Sequence, residues 1–251
     1  MLDVLRLTAA SGFDAIGLDL PAVEASSSIG EVAAALRDAG LPCSDVLVLI
    51  AGADEHLAAT ARSLGRLASA VGAPACIAAV AAPVPRAELV GSLAECASIL
   101  ADHGCRLAVE FTPYSALPTL AEAKALCEAV GWDRCGLVLD PIHFFRSGAP
   151  WEELATVTAD QIAVVQWDDV PAATPASLVE ESRHRRVQPG DGGLDLARFA
   201  AAIGATGWDG VVAAEILSDD LRRTDPAVAI PATFAALSSP ASGWRATSAA
   251  G

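Results

Sequence analysis

Short apolar segments alternate with longer amphipathic segments along almost the whole chain. Helical spacing of apolar residues marks the longer segments, and several of these end in a glycine, such as Gly40 or Gly72, as helices commonly do. The short segments are typical of β-strands buried on both faces. Seven occur, at 15–20, 44–50, 74–80, 106–111, 135–140, 162–167 and 210–216. Strict alternation of strand and helix predicts a parallel sheet covered by helices.

Two α/β folds satisfy this alternation, the open doubly wound sheet and the (β/α)8 TIM barrel. The first strand is not followed by GxGxxG and the chain lacks GxxxxGK[ST], so the phosphate-binding loops typical of the open sheet are missing. The length of 251 residues and the regular spacing favour the TIM barrel. We predict one barrel domain over residues 1–237 and a flexible C-terminal tail over residues 238–251, where Ser, Ala and Gly are frequent.

The predicted barrel is one strand short. The chain opens on a helical pattern at residues 2–12, so the first β-strand of an eight-stranded barrel is expected to be missing from this chain. A barrel with a gap exposes two strand edges, which proteins normally pair or cover. We therefore expect either a homodimer or a helix that lies over the gap.

Composition narrows the classes of partner. Hydrophobic residues make up 53% of the chain and charged residues 19%, which predicts a large buried core. The formal net charge of −15 disfavours nucleic acid and anionic membrane surfaces as partners, which leaves a small molecule. Six cysteines without a CxxC pair indicate buried free thiols. With no secretory signal and no segment long enough to span a bilayer, a cytoplasmic location is expected.

Polar residues end four of the predicted strands: Glu110, Asp140, Gln166 and Glu215. Side chains alternate along a strand, so each of these shares a face with small or apolar residues that suit a crowded barrel interior. Any one of them alone is best explained as a strand end that meets solvent. Four together would place carboxylates at one barrel mouth, where they repel each other unless a cation is bound. The pattern predicts a site for Mg²⁺, Mn²⁺ or a similar ion.

Three further residues are candidates for substrate contacts. His143 follows Asp140 closely, and its imidazole can donate a hydrogen bond to the substrate or transfer a proton. Arg186 lies in a Gly-rich loop in which basic residues are concentrated. We expect this flexible loop to let its guanidinium bind substrate oxygens while supporting neither the fold nor the metal. Trp167 lies beside Gln166 and is a candidate for the pocket wall, although packing of the barrel explains it equally well.

The order of these motifs resembles that of the xylose isomerase-like TIM-barrel superfamily, which includes sugar phosphate isomerases and epimerases. The similarity covers residues from about 2 to 218. It rests on GFDAIGLDL, LAVEF, LVLDPIHFFRSG, VVQWDD, the arginine before PGDG, and VVAAEI. Each motif alone is weak evidence, but the six in this order are specific.

The resemblance implies a role for each candidate residue. Glu110, Asp140, Gln166 and Glu215 correspond to the metal ligands, for Mn²⁺ or Mg²⁺ with Co²⁺ or Zn²⁺ as alternatives. The two glutamates correspond to the acid/base pair, and His143 and Arg186 to substrate contacts. The implied activity is that of a metal-dependent isomerase or epimerase, acting on a small polyhydroxy ketone or keto acid through an enediolate intermediate.

Two alternatives stay open. Glutamine replaces the histidine that ketose 3-epimerases generally have at the position of Gln166, and this resembles hydroxypyruvate isomerases and bacterial 3-dehydroshikimate dehydratases. A lyase of the latter kind is therefore the rival enzyme. A barrel that binds a ligand without turnover is the non-enzymatic rival. The endonuclease IV branch is disfavoured, because it needs a histidine-rich site for three zinc ions and a DNA-binding face, whereas this chain has four histidines and a net charge of −15.

Overall fold

A computed structural model describes residues 1–52 and 56–244. Within these residues seven strands form one parallel sheet in the order of the sequence, so each strand pairs with the next along the chain. The strands are β1 (Ile16–Asp19), β2 (Cys43–Ala51), β3 (Ala75–Val80), β4 (Arg106–Glu110), β5 (Cys135–Leu139), β6 (Ile162–Trp167) and β7 (Val212–Ala214). All seven predicted strands are confirmed, with ends that differ by a few residues.

Helices connect the strands and cover the outside of the sheet. They are α1 (Leu2–Ala10), α2 (Leu20–Ser26), α3 (Ile29–Ala39), α4 (Leu57–Val71), α5 (Arg86–Ala101), α6 (Leu120–Val130), α7 (Pro141–Ser147), α8 (Trp151–Leu154), α9 (Leu178–His184), α10 (Leu196–Ala205), α11 (Asp219–Arg223) and α12 (Pro226–Ser238). α3 shows why the sequence starts and stops helices where it does. Ser28 and Glu31 form a capping box at its beginning, and Gly40 ends it in the left-handed conformation.

Apolar side chains fill two layers on either side of the strands. The inner layer lies inside the barrel and contains small and branched residues: Ala75, Ile77, Ala108, Val138 and Val164. The outer layer, between strands and helices, is much larger and includes all six cysteines. Each of them is a buried free thiol, as predicted. Side chains alternate along a strand, so Glu110 lies on the same face as Ala108. The polar groups at the strand ends therefore lie on the inner face, at the C-terminal end of the barrel.

A gap separates β1 from β7, because these two strands are not paired within the described residues. A cavity of about 390 Å³ occupies the gap, bordered by residues of both strands and by Ile230 and Thr233 of α12. α12 also contacts the segment after α1, where the rings of Phe13 and Phe234 meet edge to face at 5.2 Å. The described residues thus form the seven strands that were predicted, and a helix lies beside the gap.

The chain after α12 packs against the barrel as far as the structure describes it. Ser242 is fully buried, and its carbonyl accepts a hydrogen bond of 3.0 Å from the indole of Trp167. Trp244 contacts Trp167 at 5.2 Å between ring centroids. Residues 238–244 therefore differ from the flexible tail that we predicted, because an aromatic anchor follows the Ser-rich stretch. The rest of the predicted tail, residues 245–251, lies outside the described residues.

Candidate metal centre

The four predicted ligands reach the same end of the barrel. Glu110 ends β4, and Asp140 directly follows β5. Gln166 lies in β6, paired with Ala213 of β7, and Glu215 follows that strand immediately. Parallel strands present their carboxyl ends at one edge of the sheet, so these side chains meet at the barrel mouth.

Asp140 is fixed by the helix that it begins. Its Oδ1 accepts backbone hydrogen bonds from Ile142 (2.7 Å) and His143 (3.3 Å), as an N-cap residue does. The side chain is 1% exposed, so neither oxygen forms hydrogen bonds with bulk water. Because Oδ1 holds the helix, Oδ2 is left for the centre of the barrel mouth.

His143 lies in the first turn of α7, directly over two of the carboxylates. Its Nε2 is 3.5 Å from Glu110 Oε1 and 3.7 Å from Asp140 Oδ2. These three residues offer ligand atoms that all lie within 4.8 Å of one another. Burial disfavours the charged imidazolium, but the Asp140 and Glu110 carboxylates outweigh it, and the pKa of His143 is raised above its ordinary value.

Arg186 is buried and ion-paired, which does not agree with the expectation of a flexible loop residue that supports neither the fold nor the metal. It is 2% exposed, and its Nη1 is 2.9 Å from Asp140 Oδ2 and 3.1 Å from Glu215 Oε2. Its Nε donates to the carbonyl of Ser182 at 2.8 Å. The guanidinium therefore lies among the predicted metal ligands and is held on several sides.

Asp169 explains why the Gly-rich loop after Arg186 is ordered. Its carboxylate accepts backbone hydrogen bonds from Gly190 (3.2 Å), Gly192 (3.1 Å) and Leu194 (3.1 Å). Gly192 has no room for a side chain, since an added Cβ would lie 2.2 Å from Asp169 Oδ1. Asp169 thus connects the segment after β6 to a turn some twenty residues later in the chain. This connection holds in place the backbone that carries Arg186.

Asp168 also lies in the site, although the pattern of polar strand ends did not indicate it. It has no exposed surface, and its Oδ2 is in contact with Arg186 Nη1. Burial and the charge of Asp140 raise the pKa of Asp168 well above its ordinary value, against the opposing effect of Arg186. The signal that identifies it is its position, two residues after Gln166 and so on the same face of the chain.

Tyr114 closes one side of the mouth. Its hydroxyl is 2.8 Å from Ser182 Oγ, and its ring meets the imidazole of His143 at 5.9 Å between centroids. Ser182 Oγ also accepts a hydrogen bond of 3.3 Å from Arg186 Nη2. The loop after β4 and helix α9 are therefore linked across the site through a serine hydroxyl.

Glu215 has a proton affinity suited to exchange near neutral pH. Burial is the main cause that raises its pKa to about 7, against the lowering effect of Arg186, and Glu110 and Asp140 raise it further. Its side chain keeps 25% exposure, so a substrate in the mouth can reach it. A carboxyl group of this kind can both take up and release a proton at neutral pH.

Charge and unsatisfied acceptors test whether a cation fits the site. Three carboxylates, those of Asp140, Asp168 and Glu215, contact the guanidinium of Arg186, and the carboxylate of Glu110 lies beside His143. With all four ionised and His143 neutral, the formal excess is three negative charges. Gln166 Oε1 and Asp168 Oδ1 are buried without a hydrogen-bond donor among the described residues. Buried acceptors without donors are costly, and oxygen ligands suit hard divalent cations. The residues present fit such an ion.

Trp167 is not brought to this site. It is fully buried, and its ring packs on Phe199 of α10 at 5.7 Å and on Trp244. Since neighbouring strand residues face opposite sides, Gln166 inside the barrel requires Trp167 to face the helices. The prediction that Trp167 contacts substrate does not agree with this position.

This parallel barrel, with acidic strand ends around its mouth, defines the class of protein. Residues 5–238 match the family described as xylose isomerase-like TIM barrel, and the chain belongs to that family. Among solved structures, the IolI protein with a bound zinc atom superposes with a TM-score of 0.83 at 22% identity, covering 93% of this chain and 90% of that one. At this identity the likeness concerns the fold.

Curated relatives include two kinds of enzyme. An inosose isomerase of Halalkalibacterium halodurans is 31% identical over 129 residues, which are 51% of this chain and 45% of that protein. A 3-dehydroshikimate dehydratase of Pseudomonas aeruginosa is 30% identical over 145 residues, 57% of this chain and 22% of that protein. The matched regions thus span less than half the length of these relatives. No helix among the described residues is long and apolar enough to cross a membrane.

Proposed function

We propose that this protein is a divalent-metal-dependent isomerase or epimerase of a small polyhydroxy ketone or keto acid. The observation that carries the proposal is a cluster of four carboxylates at the barrel mouth, three of them on one buried guanidinium. Two buried oxygens of the site, Gln166 Oε1 and Asp168 Oδ1, have no donor among the described residues. An inosose is a cyclic polyhydroxy ketone, and the relatives named inosose isomerase favour a substrate of this class. A carbonyl next to a hydroxylated carbon is the feature such substrates share.

Glu110, Asp140, Gln166 and Glu215 are the proposed ligands of the ion. Asp140 offers Oδ2, because Oδ1 is engaged by the first turn of α7. Gln166 offers Oε1, which has no hydrogen-bond donor in the described part of the chain. The ion, Mn²⁺ or Mg²⁺ with Co²⁺ or Zn²⁺ as alternatives, would supply Lewis-acid polarisation of the substrate carbonyl.

The two glutamates transfer the proton. The Glu215 carboxylate removes the proton from the carbon next to the carbonyl, and its pKa of about 7 in the metal-free protein suits a base that acts near neutral pH. Glu110, three strands away on β4, returns a proton to the enediolate from another side of the mouth. A base and an acid on different sides give either a shifted carbonyl or an inverted centre.

His143 and Arg186 orient the substrate in this proposal. The imidazole Nε2 lies 3.5 Å from Glu110 Oε1. From this position it can donate a hydrogen bond to a substrate oxygen that binds beside the carboxylate. One N–H of Arg186 Nη2 has no acceptor among the described residues, since the only contact of this atom is with Ser182 Oγ. A substrate hydroxyl, carboxylate or phosphate at the mouth would accept it.

Proton exchange with solvent tests the reaction. The protein is incubated in D₂O with Mn²⁺ or Mg²⁺ and, in turn, an inosose, a set of ketoses, ketose phosphates and hydroxypyruvate, and the mixtures are followed by ¹H NMR. We expect loss of one α-proton signal together with signals of an isomer. Glu110→Gln and Glu215→Gln should each lower product formation by at least about 100-fold. Glu181→Gln, a buried carboxylate that pairs instead with Arg146, is the matched control and should react like the wild type.

A 3-dehydroshikimate dehydratase is the second candidate, favoured by Gln166 and by the relatives with that name. It would use the same base but expel a β-hydroxyl group as water. Adding 3-dehydroshikimate to the panel separates the two, because only the lyase produces aromatic proton signals. Bound metal with neither exchange nor product across the panel would contradict both enzymes and favour a barrel that binds a ligand without turnover.

A further inference from the structure

Arg186 Nη1 has more acceptors than it has hydrogens. Four oxygens surround this nitrogen: Asp140 Oδ2 at 2.9 Å, Glu215 Oε2 at 3.1 Å, the Glu215 carbonyl at 3.0 Å, and Asp168 Oδ2. A guanidinium Nη carries two hydrogens, so it cannot donate a linear bond to all four. The arrangement therefore contains two sets of acceptors that compete for one donor.

The two sets differ in what else can bind them. Asp140 Oδ2 and Glu215 Oε2 belong to two of the carboxylates that the proposed function assigns to the metal ion. Asp168 Oδ2 and the Glu215 carbonyl are not assigned to it, and they number two, the same as the hydrogens of Nη1. When a cation occupies the first set, the second set can satisfy the nitrogen completely.

We infer that Asp168 is a positioning residue that retains Arg186 when the metal ion takes Asp140 and Glu215. The inference rests on the proposed function, because it requires a divalent ion at these carboxylates. Asp168 suits the role because it is wholly buried, lies on the face of the chain that carries Gln166, and contacts Arg186 on the atom that must move. Without this carboxylate, Arg186 has its remaining charged acceptors among the metal ligands and competes with the ion.

A double-mutant cycle on metal affinity tests the inference without any assay of activity. Mn²⁺ binding to the metal-free protein is measured by titration calorimetry for the wild type, Asp168→Asn, Arg186→Gln and the double variant. Asparagine keeps the shape of the side chain and one oxygen but removes the charge. We expect Asp168→Asn to weaken binding by about 100-fold, at the upper end of the effect of groups that support metal ligands. In the Arg186→Gln background the loss should be at least tenfold smaller, because the competing guanidinium is gone.

The cycle has a clear negative result and a matched control. A loss in the Arg186→Gln background that is less than tenfold smaller would overturn the inference, since Asp168 would then act on the ion directly. Glu181→Gln removes the charge of another buried carboxylate near the site, one held by Arg146 at 2.7 Å, and should keep Mn²⁺ affinity within about threefold. Wild-type protein that binds no Mn²⁺ would overturn the proposed metal site itself. That result is distinguishable from the one that overturns only the role of Asp168, in which Asp168→Asn weakens Mn²⁺ binding equally with and without Arg186→Gln.

A crystal structure of the wild type with Mn²⁺ gives a second measurement, independent of whether the variants fold. We expect Arg186 Nη1 to remain bonded to Asp168 and to the Glu215 carbonyl, and to lie beyond about 3.5 Å from Asp140 Oδ2. An Nη1 that still donates to Asp140 while the ion is bound, with Asp168 turned away, would contradict the inference.

Discussion

Arg186 Nη1 lies 2.9 Å from Asp140 Oδ2, so a residue expected to bind substrate is ion-paired with a residue expected to bind metal. Both are almost fully buried, at 2% and 1% exposure of the side chain. A buried ion pair contributes little net stability while both partners are present, but losing one partner leaves a charge without compensation. The pair therefore links the stability of the barrel to the state of its site.

The first prediction concerns Arg186 in the metal-free protein. Arg186→Ala leaves Asp140, Asp168 and Glu215 without their shared cation, so we expect the free energy of unfolding to fall by about 3–5 kcal/mol. In a domain of this size the melting temperature should fall by roughly 10 °C. Arg222→Ala, which removes an exposed ion pair, should change it by no more than a few degrees. Equal melting temperatures for wild type and Arg186→Ala would refute the structural role.

The second prediction concerns Asp140 as a proposed metal ligand. Asp140→Asn should weaken Mn²⁺ binding by about 100-fold or more, because a charged ligand is lost. Asparagine is a good N-cap, so the hydrogen bonds to Ile142 and His143 survive and the circular dichroism spectrum should be unchanged. Titration calorimetry measures the affinity, and the exposed Asp133→Asn is the control. Wild-type affinity in Asp140→Asn would show that the ion binds elsewhere.

The third prediction concerns pH. In the metal-free protein Glu215 has a pKa of about 7 when folded and about 4.5 when unfolded, so between these values the folded state holds a proton that the unfolded state has released. Stability from this group is therefore present at low pH and lost as the pH rises from 4.5 through 7, by up to about 3 kcal/mol.

Urea denaturation of chelator-treated protein between pH 5 and 8 measures this effect. Glu215→Gln cannot titrate, so its stability relative to the wild type should increase across the range. Parallel curves for the two proteins would show that the carboxyl group has an ordinary pKa when folded. Added Mn²⁺ should flatten the difference, because the ion stabilises the ionised carboxylate.

The fourth prediction separates Trp167 from the site. Trp167→Phe removes the indole N–H that binds the Ser242 carbonyl, and leaves that buried acceptor unpaired. We expect a loss of about 1–3 kcal/mol in unfolding free energy. The KM for the substrate should stay within about twofold, because the ring faces Phe199 and Trp244 outside the barrel. A raised KM with unchanged stability would restore Trp167 as a substrate contact.

The sequence predicts this fold well because buried parallel strands and amphipathic helices leave patterns a few residues long. β5, for example, is buried at every position and appears in the sequence as an uninterrupted apolar run. Glu110 and Gln166 were found in the same way, because alternation along a strand tells which side chains face the interior. Applied consistently, that rule also identifies Asp168 and places Trp167 outside the barrel.

Burial of Arg186 could not be predicted from a local pattern. It depends on Asp169 and on glycines some twenty residues later, which the folded loop brings together. The anchored segment around Ser242 has the same origin, since its partner Trp167 is 75 residues earlier in the chain. Contacts of this kind follow from how loops dock on a finished barrel, and composition alone makes both segments look flexible.

The gap between β1 and β7 has a consequence for how the molecule opens. Every backbone ladder joins strands that are neighbours in sequence, so no ladder ties the first strand to the last within the described residues. There α12 and the loop before β1 are in contact through side chains, such as the rings of Phe13 and Phe234, which separate more readily than a hydrogen-bonded ladder. β7 is short and half-buried, whereas β5 is buried throughout. Among the strands, amide hydrogens should therefore exchange with solvent fastest in β1 and β7, which border the gap. Exchange should be slowest in β4 and β5, in the middle of the sheet, and intermediate in the strands between.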